Sequence, residues 1–71
     1  MITIEIARGL KYRQILHHKT LKNADGTPMR CRVNGAVKFW KTRPNDFRIP
    51  IKAGLNEYGY IENDVAPDWT V

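Results

Sequence analysis

The 71-residue chain has a single cysteine, Cys31, so no disulfide can close within it. An unpaired thiol favours a reducing compartment. Cysteine ranks among the most buried residue types, so Cys31 is expected to be an inert core thiol rather than a reactive or dimer-bridging one. Long apolar runs are missing too: the longest are two residues, as in Met1-Ile2 and Ile15-Leu16, where a membrane span needs about 20. The opening MITIEIARGL lacks a basic head, a continuous apolar block and a small-residue cleavage site, the three parts of an export signal. The expectation is a soluble, cytoplasmic protein that does not engage a membrane.

Chemistry-bearing clusters are equally scarce. His17 and His18 are adjacent, so on a strand they point to opposite faces and cannot act together. Zinc needs three or four protein ligands, and beyond Cys31 and the two histidines there is no further Cys or His. A Cys–His dyad would also need an oxyanion hole and a walled cleft, which a thin domain of this length does not supply. No glycine-rich loop leads into a Lys and a helix to hold phosphate. The expectation is therefore no catalysis, no metal and no cofactor.

Charge is present but unevenly spread. The net charge of +5 divides into +3 over residues 1–29, +6 over residues 30–52 and −4 over residues 53–71, where Lys and Arg are absent altogether. Such an imbalance bears on partners and association rates rather than on fold.

Alternation with a period of two runs through the chain. Ile2-Thr3-Ile4-Glu5-Ile6 alternates strictly and predicts a strand with one buried side. Residues 11–21 fit a strand, with a helical turn as the other option. Asn23–Pro28 is turn chemistry throughout. A four-residue loop there would set Thr20 opposite Met29, His18 opposite Cys31 and Leu16 opposite Val33. Arg43-Pro44-Asn45-Asp46 predicts another turn. Phe47–Lys52 alternates with Phe47, Ile49 and Ile51 inward, and Pro50 marks it as an edge strand or bulge. Tyr58–Ile61 predicts a short last strand. Short strands between regular turn signals describe an all-β fold, a small SH3-like barrel or a strongly bent antiparallel meander of five to six strands. One domain over residues 1–62 is expected, followed by an acidic tail over residues 63–71 that docks through Trp69.

The stretch Met29–Lys41, MRCRVNGAVKFWK, holds the strongest local signal. Asn34-Gly35 suits a two-residue type I′ turn, which would pair Val33 with Ala36 and Met29 with Trp40. Directly opposed residues share a face. Met29, Cys31, Val33, Ala36, Lys38 and Trp40 would then face the core, and Arg30, Arg32, Val37, Phe39 and Lys41 would face out. Cations with an interleaved ring suit nucleic acid, neutralising phosphates and stacking an unpaired base. The candidate site is Arg30, Arg32, Phe39, Lys41, Arg43 and Arg48, bordered by Tyr12. The same face suits a protein partner or an inhibitor role, homodimerisation included, since aromatics and Arg are enriched at interfaces. It would equally serve as an ordinary solvated exterior.

The segments KNADGTP, RCRVNG, FWKTRP and FRIPIKAGL, within about residues 20–55, resemble small uncharacterised proteins encoded by bacteriophages and prophages. The resemblance carries no activity and no site residues. It implies a bacterial host cytoplasm and a role in handling host or phage macromolecules.

Overall fold

The computed structural model describes residues 1–71. In chain order the elements are a helix α1 (Ile4–Arg8) and strands β1 (Ile15–Lys22), β2 (Pro28–Val33), β3 (Lys38–Trp40), β4 (Arg43–Ala53) and β5 (Glu57–Glu62). A 3-10 turn (Ala66–Asp68) and a two-residue strand β6 (Trp69–Thr70) complete the chain. The fold is a small all-β domain, one antiparallel sheet curled into a half-barrel.

The eleven-residue β4 is its spine. Strand β5 pairs along one edge of β4, from Arg48↔Glu62 to Ala53↔Glu57. The other edge takes β2 and β3 in succession, through Val33↔Ile51 and Lys38↔Arg48. Strand β1 lies outside β2, and β6 outside β1. The two edge strands β5 and β6 are thus consecutive in the chain. A flat sheet would separate them by four inter-strand steps, roughly 19 Å. The link between them is shortened by two successive turns, closed by Val65 N–H on the Glu62 carbonyl at 3.1 Å and Asp68 N–H on the Val65 carbonyl at 3.0 Å. A connection that short draws the edges together and curls the sheet.

The concave side holds the core of Ile2, Ala7, Leu16, Cys31, Val33, Phe47, Ile49, Ile61 and Ala66. Truncating a fully buried member such as Leu16 or Ile49 to Ala would cost about 2–5 kcal/mol. Residues 63–71 take part: Ala66 is fully buried, its carbonyl accepts from Ile2 N–H at 3.3 Å, and Trp69 packs against the core.

Several local expectations are overturned. Ile2–Ile6 is not a strand. Thr3 caps a helix there, its hydroxyl accepting from Ile6 N–H at 3.3 Å, with Glu5 in the first turn and Arg8 in the last, each at the end its charge favours. Only Ile2, Ile4, Ala7 and Leu10 turn toward the core, while Ile6 is exposed. In the β1–β2 pair the sequence reading placed His18 opposite Cys31. The structure pairs Leu16 with Cys31 and His17 with Arg30, two residues away, because the register slips between His17 and Lys22. His18 stabilises that slip, its Nδ1 accepting from Thr20 N–H at 3.2 Å and Leu21 N–H at 2.9 Å. Arg43–Asp46 is not a turn but the start of β4. The reversal falls at Lys41-Thr42, between the partners Trp40 and Arg43.

The largest correction concerns Asn34-Gly35, which is no hairpin turn. Strands β2 and β3 both run antiparallel to β4 along one edge, so residues 28–40 form one interrupted strand. Five residues advance from Val33 to Lys38 while β4 advances three, from Ile51 to Arg48, leaving a two-residue bulge. Glycines with positive φ occur at Gly26 and Gly54, not at Gly35. Gly35 serves close approach instead: a β-carbon there would meet Pro50 Cγ at 3.3 Å. Pro50 accordingly sits in the central strand rather than at an edge or bulge of its own. Its carbonyl accepts from Asn34 N–H at 2.8 Å, so its imide nitrogen points to that same side. That is where the partner strand is interrupted, and pairing with β5 loses no donor.

Candidate functional site

The bulge decides which side chains meet. A hairpin would have inverted the faces after Gly35; an interrupted strand keeps them. Phe39 pairs with buried Phe47 and so lies on the core side, at its rim, 6.0 Å from the Arg8 guanidinium of α1. Val37 also packs against the core. Trp40 and Lys38, assigned to the core by the hairpin reading, are on the outer face with their partners Arg43 and Arg48. Lys41 is in the β3–β4 turn, on neither face. Of the six expected site residues, Arg30, Arg32, Arg43 and Arg48 share the outer face, Phe39 does not, and Lys41 stands at its corner. Tyr12 precedes β1 and sits 5.5 Å from Arg13 rather than on the sheet.

Cross-strand pairing extends this face over the whole sheet. Arg32 faces Lys52, Lys52 faces Tyr58, Pro50 faces Tyr60, and Arg30 faces His17. The cations Arg30, Arg32, Lys38, Arg43, Arg48 and Lys52 surround three rings. Trp40 is central, with Arg43 at 4.5 Å, Lys38 at 5.4 Å and Arg48 at 5.7 Å from its centroid. Arg48 also lies 5.0 Å from Tyr60, and Lys52 lies 5.5 Å from Tyr58. Cation–π attraction of this kind holds the long side chains over the rings.

Two acids offset the charge. Glu62 accepts from Arg48 at 2.7 Å, and Asp46 pairs with Arg43 at 3.4 Å. Arg30, Arg32, Lys38 and Lys52 form no ion pair. Arg30, Arg32 and Lys52 line a cavity of about 490 Å³ together with Ile15, Asn23 and Leu55. The Cys31 thiol is pushed up to about 11 by burial, so at neutral pH it is protonated. No group of three or more His, Cys, Asp or Glu side chains is arranged to hold a metal ion. His17 and His18 lie on opposite faces, His18 meeting Trp69 edge-on at 4.9 Å between centroids. At the far end of the β1–β2 loop, the Thr27 hydroxyl and N–H, at 2.6 and 3.0 Å, hold the exposed Asp25 carboxyl below its usual range.

Sequence reasoning missed Trp40, Lys38, Lys52, Tyr58 and Tyr60. Lys52 and the tyrosines were legible, since Arg48-Ile49-Pro50-Ile51-Lys52 and Tyr58-Gly59-Tyr60-Ile61 each alternate with a core isoleucine. Trp40 was not, because its side depends on the bulge.

Fold and face together define a class: a small all-β half-barrel whose convex surface is basic and aromatic. No protein family, curated protein or solved structure matches the chain. The likeness to bacteriophage proteins gains no support from these comparisons. No helix is long and apolar enough to cross a membrane.

Proposed function

We propose that the protein is a non-enzymatic module that binds nucleic acid through the outer face of its sheet. The observation that carries this reading is the set of six cations on the face that holds Trp40, Tyr58 and Tyr60, only two of them in ion pairs. Unpaired Arg and Lys neutralise phosphates without regard to sequence, and rings offer stacking surfaces. A lone, buried and protonated cysteine suits a reducing cytoplasm, where nucleic acid is at hand. Filter binding of labelled mixed-sequence single-stranded and duplex oligonucleotides at low salt tests the reading. Retention should fall when Arg30, Arg32 and Lys52 are replaced together by Ala. No retention of either form by the native protein would overturn it.

A further inference from the structure

We propose that the outer face takes single-stranded rather than duplex nucleic acid, with unstacked bases on Trp40, Tyr60 and Tyr58; this rests on the nucleic-acid reading above. Shape is the first support. The core fills the concave side of the half-barrel, so the basic face is convex. A duplex is a convex cylinder, and two convex bodies touch along a line, leaving most of the six cations out of reach. A flexible single strand can follow the curvature.

Ring spacing is the second support. Tyr58 and Tyr60 are two residues apart on β5 and share a face, since their partners Lys52 and Pro50 do. Rings so placed are roughly 6.8 Å apart along the strand, about twice the 3.4 Å spacing per nucleotide in one strand of a duplex. Neighbouring bases can occupy neighbouring rings only when the strand is pulled out and its bases unstacked. Both tyrosines are accessible for this, at 66% and 62% exposure. The third support is the order of groups across the face. Arg43, Trp40, Arg48 and Tyr60 alternate cation and ring at 4.5 to 5.7 Å. Lys52 and Lys38, which form no ion pair, lie 5.5 Å from Tyr58 and 5.4 Å from Trp40, so a base displacing them from those rings would leave a free cation for the adjoining phosphate.

The test is competition binding by the full chain. Labelled dT and U oligonucleotides of about 16 residues, within the range single OB-type domains occupy, compete against duplexes of equal length at one salt concentration. The expected result is tighter binding of a single strand than of its duplex by about tenfold or more. Tyr58→Ala and Tyr60→Ala should each weaken single-strand binding by about 5- to 150-fold while leaving the salt slope unchanged, because no charge is removed. Both tyrosines are exposed, so these variants are expected to fold, which circular dichroism checks. In a Trp69→Phe background Trp40 is the sole tryptophan, and its emission should be quenched by the single strand. Duplex binding equal to or tighter than single-strand binding would overturn the strand preference but leave the nucleic-acid reading intact. So would tyrosine variants that bind single strands as the native protein does. Binding of neither form would sink both.

Discussion

Replacing Glu62 by Gln should make nucleic-acid binding more sensitive to salt. Glu62 neutralises Arg48 through a 2.7 Å hydrogen-bonded ion pair, and Asp46 neutralises Arg43. Four outer-face cations, Arg30, Arg32, Lys38 and Lys52, are left free to displace counterions from phosphates. At about 0.7 counterions released per phosphate contact on a single strand, log K should fall against log salt with a slope of about −2.8. Raising salt from 50 to 200 mM would then weaken binding about fifty-fold. Glu62→Gln removes the carboxylate charge and releases Arg48 as a fifth cation, steepening the slope to about −3.5. Replacing Arg30, Arg32 and Lys52 together by Ala leaves one free cation and a slope of about −0.7, a loss of only two- to threefold over the same range. Fluorescence anisotropy of a labelled oligonucleotide, titrated at several potassium chloride concentrations, reads all three slopes. The stability cost of Glu62→Gln is small, since both partners of the pair are substantially exposed and exposed ion pairs contribute little. Equal slopes in the three proteins would refute the assignment of these cations to phosphate contact.

Three further outcomes concern the scaffold. The Cys31 thiol should be silent to a thiol reagent at pH 8 until the protein unfolds. Its folded pKa is raised by burial from 9.0 to about 11, so the folded state keeps a proton that the unfolded state releases. The resulting stability is fully present below pH 9 and is lost as pH climbs toward 11, at about 1.4 kcal/mol per unit. Between pH 8 and pH 10 the native protein should therefore lose about 1 kcal/mol more than Cys31→Ala in urea melts, and equal losses would contradict this. His18→Ala removes the acceptor of two backbone N–H groups and the edge contact to Trp69. It should cost about 1–2 kcal/mol and red-shift Trp69 emission in a Trp40→Phe background, and an unchanged spectrum would speak against docking of β6 through this pair. Gly35→Ala introduces a contact with Pro50 at 3.3 Å without requiring positive φ. In a Pro50→Ala background it should be less costly by about 0.5 kcal/mol or more, and equal cost in both backgrounds would show that backbone conformation, not Pro50, demands the glycine.

Fold class was legible because it rests on alternation that each strand carries by itself. Phe47, Ile49 and Ile51 declare the inner side of β4 whatever lies on either side of it, and Ile61 does so for β5. Residues 15–17 and 30–32 kept their faces even though the register was displaced by two, since an even slip preserves the side of every residue. The helix was hidden because Ile2, Ile4 and Ile6 satisfy a period of two by coincidence. What decided the matter was the Thr3 cap and the close seating of Ala7 against the core, a tertiary effect that local propensity does not contain. The bulge was hidden for a related reason. Asn-Gly is permissive, and permits a turn without requiring one. The demand at Gly35 comes from Pro50, fifteen residues downstream, and the extra pairing of β2 with β1 leaves no edge for a returning strand.

The candidate site depends on that bulge, since it sets the parity with which β3 meets β4 at Lys38↔Arg48 and Phe39↔Phe47, ahead of a second register shift between Phe39 and Trp40. A charge scan across it separates the two arrangements without any ligand. In a hairpin Ala36 would face the core and Val37 the solvent; in the interrupted strand Ala36 is exposed and Val37 packs against the core. A lysine at an exposed position is tolerated within about 0.5 kcal/mol. A lysine replacing a partly buried valine loses part of that side chain's burial, worth up to about 1.5–3 kcal/mol when complete, and must bend its ammonium out to water. Ala36→Lys is therefore expected to unfold in urea at nearly the native midpoint, and Val37→Lys at a midpoint lower by the equivalent of about 1.5–3 kcal/mol. The opposite order would restore the hairpin, return Trp40 to the core and remove the ring on which the binding face is centred. Because Val37 is close to the bulge and Trp40 is at the far end of β3, a second pair reads the same parity farther along. Trp40→Lys should leave the fold intact while weakening single-strand binding, and Phe39→Lys should destabilise the domain through its place beside Phe47 and Arg8. Agreement of both pairs fixes the face from Ala36 to Trp40.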